Sequence, residues 1–160
     1  MLPRIHKILY ATDLSPNAGY VLRYAINSAQ KHGAKLIILH VLEDLSPTTR
    51  SLVEAYVDHE TLVKMSADSY EHVTRRIEKR IEVLLKKESL EESKNNGIFD
   101  SIQVTRGHAA TKILESADEL ECDAIVMGTH GKGLLKYTFL GSTAKQVLRR
   151  TRKPIFVIWL

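Results

Sequence analysis

A chain of 160 residues, 44% hydrophobic and 26% charged, has the makeup of one soluble globular domain, which excludes intrinsic disorder and fibrous repeats. Its single cysteine, Cys122, excludes an internal disulfide framework and a CxxC metal or redox site, and fits a reducing cytoplasm. The net charge of +4 favours anionic ligands but is too small to imply nucleic acid by itself.

No stretch approaches the roughly 18–20 apolar residues of a membrane span. The short apolar run Ile8-Leu9-Tyr10-Ala11 is soon ended by Asp13, which is too brief for a signal peptide. The mature chain is therefore expected to start here and to stay inside the cell.

Ile8 to Thr12 reads as a buried strand. Ser15 is expected to cap the next helix, with Pro16 in its first turn. That helix turns Val21, Leu22, Ala25, Ile26 and Ala29 to one face and ends at Gly33. Lys35 to Leu42 is a second buried strand. Glu43 to Tyr56, with Pro47 and a Ser/Thr cluster, reads at least partly as loop. Asp58 to Lys94 is one long helical pattern with an inward stripe of Val63, Tyr70, Val73, Ile77, Ile81 and Leu84. A break near Ala67 or Asp68 is expected, and Asn95-Asn96-Gly97 ends the helix.

Ile98 to Thr105 alternates as a strand, with Ile98, Asp100, Ile102 and Val104 on one face. The mixture of polar and apolar residues there places it near a sheet edge. Gly107 opens a helix with Ile113, Leu114, Ala117 and Leu120 inward. Asp123 to Gly128 is another buried strand. A loop rich in Gly and Lys runs from Thr129 to Leu140. Gly141-Ser142-Thr143 starts a helix with Ala144, Val147 and Leu148 inward, and Ile155 to Leu160 is a final strand. Five strands alternating with four helices predict one α/β domain over residues 1–160, a mostly parallel sheet with helices on both faces.

In such sheets ligands bind beyond the carboxyl ends of the strands, where the strand order reverses. In a flavodoxin-like order the reversal lies beside the first strand. In a 3-2-1-4-5 order it lies between strands one and four. The latter brings Ala11-Thr12-Asp13 to the segment Gly128 to Ser142, and these are the two most unusual loops in the chain. Gly128 and Gly131 allow close backbone approach. Gly141-Ser142 sits at a helix start, whose free N–H groups and dipole favour an anion. The hydroxyls of Ser142 and Thr143 can add hydrogen bonds, and His130, Lys132 and Lys136 bring positive charge. This outlines a phosphate cradle. It is neither a Walker A loop, since Lys132 precedes Gly133, nor a dinucleotide fingerprint, since the glycine spacing differs.

The pattern Gly128-x2-Gly131-x9-Gly141-Ser142 resembles the ATP-binding signature of the universal stress protein family. So do the opening Ile8 to Ser15, the strand end Leu39-His40-Val41, the run Ala124 to Gly128 and the closing Lys153 to Ile158. The likeness spans nearly the whole chain, with Glu43 to Glu92 the least distinctive part. It implies the 3-2-1-4-5 sheet of the adenine nucleotide alpha hydrolase-like, Rossmann-like fold. It implies ATP as ligand, with Mg²⁺ or Mn²⁺ held mainly through phosphate oxygens. Asp13 and Val41 would border adenine and ribose, Ala11 and Thr12 would line the same pocket, and Met127 and Gly128 would pass beside the nucleotide. Gly131, Gly141, Ser142 and Thr143 would hold the phosphates. Ala109 stands where the family often has proline, and the loop carries lysines but no arginine.

Beside a triphosphate, a carboxylate at Asp13 is better used to accept from ribose hydroxyls or the adenine amine; bridging through the metal is the fallback. His40, behind a buried run, reads as a packed or hydrogen-bonded histidine, whereas His130 is a candidate phosphate contact. The seven histidines show no metal-ligand spacing. Cys122 has acidic neighbours in Glu121 and Asp123, which disfavours a reactive thiolate. The basic run Lys145, Arg149, Arg150, Arg152 and Lys153 reads as a solvated helix end rather than a nucleic-acid surface, because no aromatic platform is interleaved.

The leading expectation is a nucleotide-dependent stress-response or signalling module with little turnover, since no second acidic residue lies near the loop in sequence. The alternatives are a slow ATPase or nucleotide-transferring enzyme, and an interaction protein without nucleotide. An exposed apolar final strand is a liability in a monomer. The family resemblance implies a homodimer through residues 155–160, with a further protein partner left unidentified.

Overall fold

The computed structural model describes residues 1–44, 46–88, 97–130 and 140–160, with backbone alone at 65–68. Five strands form one parallel sheet: β1 (Lys7–Ala11), β2 (Lys35–Leu42), β3 (Phe99–Arg106), β4 (Ala124–Gly128) and β5 (Ile155–Ile158). Their order is β3-β2-β1-β4-β5. The central strands are apolar on both faces, and each face has its own helical layer. Ile8, Tyr10, Leu36, Ile38 and Val126 pack under α1 (Ala18–His32) and the C-terminal half of α3 (His59–Lys87). Leu9, Ile37, Leu39, Ile125 and Met127 pack under α4 (Ala109–Glu119) and α5 (Ser142–Arg150). Register follows from this double burial: Leu9 pairs with Ile37 on one side and with Ile125 on the other.

The second helix, α2 (Pro47–Tyr56), occupies most of the stretch that the sequence reads as loop. Ser46 accepts from the Thr49 N–H at 3.2 Å, and Pro47 sits in the first turn. The Ser/Pro/Thr cluster is thus a helix start, not a breaker. Asp58 caps α3 in the same way, accepting from the Thr61 N–H at 2.9 Å. The expected break near Ala67 is absent: α3 runs for 29 residues, about 43 Å. It outreaches the sheet. Ile77, Ile81 and Leu85 are buried and Val73 and Leu84 pack against them, but Val63 (55%) and Tyr70 (36%) stay exposed. The inward stripe therefore holds only over the C-terminal half. Residues 95 and 96 of the expected helix stop lie outside the described residues.

Three further expectations are corrected. In β3, Leu36 faces Phe99 while Ile37 faces Ser101, so Asp100 is an extra residue. This bulge turns Phe99 to the same layer as Ile102 and Val104, against the simple alternation. The first helix starts at Ala18, not at Pro16, and Ser15 does not cap it. The Ser15 N–H is instead engaged by Asp13 Oδ1 at 3.0 Å, and the Ser15 carbonyl accepts from Ala18 at 2.9 Å. Leu148 is 38% exposed rather than inward, leaving Ala144 and Val147 as the buried contacts of α5.

Cys122 is buried at the end of the turn into β4. Burial pushes its thiol up to about 11; Lys7 and Lys153 pull the other way, and the Asp123 charge adds only a small rise. Desolvation, more than the acidic neighbours, disfavours the thiolate. The native thiol is expected to resist alkylation at pH 8 and to react fully once the protein is unfolded, as read by mass after iodoacetamide. The raised value also contributes stability. That contribution is whole below the thiol's ordinary value near 9 and is lost as pH rises towards 11.

Candidate functional site

Strand order reverses between β1 and β4, and a cleft of about 840 Å³ opens there at the carboxyl ends of the strands. Ala11, Thr12, Asp13, Val41, Met127, Gly128, His130, Gly141, Ser142 and Thr143 all line it. Gly131, Lys132 and Lys136 lie outside the described residues. The topology thus gathers residues from both unusual loops and from the end of β2.

One wall is apolar. Ala11, Val41 and Leu140 are partly buried against Met127 and the α4–α5 layer. That slot suits a flat, weakly polar group. Beside it the turn after β1 is tightly specified. Leu14 adopts φ 57°, a left-handed conformation that a leucine rarely takes. The strain is held by local bonds. Thr12 Oγ1 accepts from the Leu14 N–H at 3.1 Å, and Asp13 Oδ1 from the Ser15 N–H at 3.0 Å. The His40 ring donates through Nδ1 to the Thr12 carbonyl at 2.8 Å. Tyr10 donates its hydroxyl to the Ala18 carbonyl at 2.8 Å, tying β1 to the first turn of α1. Burial raises the Tyr10 phenol above its ordinary value, so it stays a neutral donor.

These bonds use one oxygen of Asp13 and leave the other. Asp13 Oδ2 is buried and has no hydrogen-bond partner among the described residues. A buried carboxylate oxygen without a donor is costly to the fold, so its retention in a cleft points to a ligand that supplies the donor.

The opposite wall is built by β4 and α5. The Thr129 carbonyl accepts from the Gly141 N–H at 2.6 Å, which draws the two ends of the glycine-rich segment together. Gly141 has an ordinary φ of −60°. Its lack of a side chain matters for space: a Cβ there would lie 3.0 Å from the Thr129 carbonyl oxygen and 3.3 Å from His130 Cα. Gly128 is crowded by side chains instead, with Leu160 Cδ1 2.9 Å and Val21 Cγ2 3.3 Å from where a Cβ would stand. Gly141 caps α5 without a side-chain bond, so the N–H groups of the first turn open beside Ser142 and Thr143.

The fold adds residues that the sequence alone does not connect. Glu43 and Lys145 line the same cleft. Glu43 is thus a second carboxylate near the loop in space, though not in sequence. Thr129, wholly buried, ties the loop to the end of β5. Leu160 does not extend the last strand. Its N–H turns to Thr129 Oγ1 at 3.2 Å and its side chain closes on Gly128. Among the described residues no group of three or more His, Cys, Asp or Glu side chains converges on a metal position, and no helix is long and apolar enough to cross a membrane.

An open parallel sheet with a cleft at its switch point, lined by apolar and polar residues, defines an α/β protein of the Rossmann-like kind. Residues 4–158 match the model of the universal stress protein family, and the chain belongs to that family. It is 29% identical over 157 residues to universal stress protein MJ0577 of Methanocaldococcus jannaschii, covering 95% of this chain and 93% of that one. A solved structure of MJ0577 superposes with a TM-score of 0.76 at 24% identity, covering 99% and 98% of the two chains. Two others share the fold. A universal stress protein solved in complex with cAMP is 19% identical, with a TM-score of 0.59 and coverage of 98% of each chain. The universal stress protein of Archaeoglobus fulgidus solved in complex with dAMP is 20% identical, with a TM-score of 0.58 and coverage of 96% and 97%.

Proposed function

We propose that this chain is a single cytoplasmic ATP-binding domain that acts as a nucleotide-dependent stress-response module with little or no turnover. The observation that carries the reading is the buried Oδ2 of Asp13, without a partner among the described residues, beside an apolar slot. Adenine and ribose carry N–H and O–H donors on a flat apolar body, which matches both features. Ala11, Thr12, Val41 and Met127 flank the base, and Asp13 accepts from the ribose hydroxyls or the adenine amine. Gly128 lets the backbone pass close to the nucleotide. Gly131, Gly141, Ser142 and Thr143 hold the phosphates, with the first-turn N–H groups of α5 as donors. The adenine nucleotides carried by the two fold relatives, cAMP and dAMP, support an adenine site in this fold.

A divalent Mg²⁺ or Mn²⁺ fits as part of the ligand, held mainly through phosphate oxygens. The cleft's carboxylates among the described residues, Asp13 and Glu43, fit at most a supplementary contact. Fast nucleotide hydrolysis needs a water-positioning residue and a firmly held metal; among the described residues no group of three or more His, Cys, Asp or Glu converges on a metal position, and turnover below about 1 per second is expected. Steady-state phosphate release tests this. Sustained release well above that rate would replace the module with an ATPase.

The same reading includes a homodimer through residues 155–160. Among the described strands β5 pairs only with β4, and Ile155 to Ile158 are half-buried in the single chain. Pro154 and Ile158 direct their carbonyls at β4, so alternation along the strand turns the polar groups of Val157 to the open edge. Light scattering is expected to give twice the chain mass for the wild type and one chain mass for Val157→Pro. A monomeric wild type overturns the dimer.

A further inference from the structure

Thr129 is wholly buried, and its hydroxyl touches two polar groups. The Leu160 backbone N–H lies 3.2 Å from Oγ1, and His130 Nδ1 lies 3.0 Å from it. An amide N–H can only donate, so Leu160 occupies one lone pair of the hydroxyl. The hydroxyl proton then needs an acceptor in a place that water does not reach. His130 Nδ1 is the acceptor within hydrogen-bond distance among the described residues. If Nδ1 carried a proton instead, Oγ1 would receive two donors and its own buried proton would be left unpaired, which costs the fold.

We infer that Thr129 is a positioning residue that fixes the tautomer of His130, so that Nδ1 accepts and Nε2 carries the proton as a donor towards a phosphate oxygen in the cleft. The phosphate part rests on the nucleotide reading above. His130 lines the cleft, and with Nδ1 turned back to Thr129 the opposite edge of the ring carries the remaining polar atom. The main chain of Thr129 serves the same end. Its N–H donates to the Ile158 carbonyl at 3.0 Å and its carbonyl accepts from Gly141 at 2.6 Å. One residue therefore joins β4, the end of β5, the start of α5 and the imidazole. This explains why a hydroxyl is retained at a fully buried position where valine would fill the same volume.

The test uses the full chain labelled with ¹⁵N-histidine, with and without Mg·ATP. In the ligand-free wild type, long-range ¹H–¹⁵N spectra are expected to show Nδ1 unprotonated and Nε2 protonated for His130. Thr129→Val should lose this fixed tautomer and bind Mg·ATP about tenfold more weakly, the loss typical of one hydrogen bond to a charged group. Thr129→Ser, which keeps the hydroxyl, should restore both the tautomer and the affinity. Circular dichroism establishes that each variant is folded. A protonated Nδ1 in the wild type, or the same tautomer in Thr129→Val, overturns the inference. So does unchanged affinity in Thr129→Val. A wild type that binds no Mg·ATP overturns the nucleotide reading and the phosphate role together. The tautomer, read without ligand, still decides what Thr129 does to His130.

Discussion

Asp13→Asn is expected to weaken Mg·ATP binding by about 10- to 100-fold, the loss typical of a hydrogen bond accepted by a charged group. Asn keeps Oδ1, so the 3.0 Å bond from the Ser15 N–H survives and the turn after β1 keeps its shape. The change falls on Oδ2, the buried oxygen without a partner among the described residues. There an amide puts a donor where the ligand's donors must be received. Folding stability should stay within about 1 kcal/mol of wild type, or rise, because a poorly solvated charge is removed. The split is the informative part. If Asp13 merely ends a strand, Asn keeps its one structural bond and affinity will not fall. If it receives the nucleotide, affinity falls with the midpoint held.

Gly141→Val is expected to show the opposite signature, with both quantities falling. The new Cβ would stand 3.0 Å from the Thr129 carbonyl and 3.3 Å from His130 Cα. Both neighbours are main chain and cannot rotate aside. The first turn of α5 must then move away from β4, breaking the 2.6 Å bond from the Gly141 N–H to the Thr129 carbonyl. Overpacking of this kind costs about 1–3 kcal/mol of stability. Displaced N–H donors at the helix start should lower Mg·ATP affinity by about 100-fold, the upper end of what losing a charge-assisted bond brings. Titration and thermal melting of the same sample measure both. Normal binding in Gly141→Val would remove this helix start from the phosphate site.

The residues of the cleft were legible where the signal was local. The apolar run Leu36 to Val41 specifies a buried strand because both its faces meet helices. The mixed pattern of Phe99 to Arg106 marks an edge because β3 stands at one end of the sheet among the described strands. Glycine suits 141 because main chain crowds that position, and 128 because the Leu160 and Val21 side chains do. What escaped was long-range or ambiguous in kind. Pro47 serves a loop and a first helical turn equally well, and only the Ser46 bond to Thr49 decides between them. The bulge at Asp100 leaves no mark in hydropathy, yet it reverses the side of Phe99. Glu43 and Lys145 are ordinary charged residues until the topology brings both to one cleft. Thr129 looks like any strand-end threonine. Its hydroxyl is engaged by the Leu160 N–H, two residues beyond the end of β5 and 31 positions away in sequence.

The central claim, that this cleft takes ATP, is tested most directly by calorimetric titration of Mg·ATP into protein unfolded, stripped of nucleotide and refolded. The account predicts saturable binding at one site per chain. Absence of binding, with the α/β fold intact by circular dichroism, would contradict it.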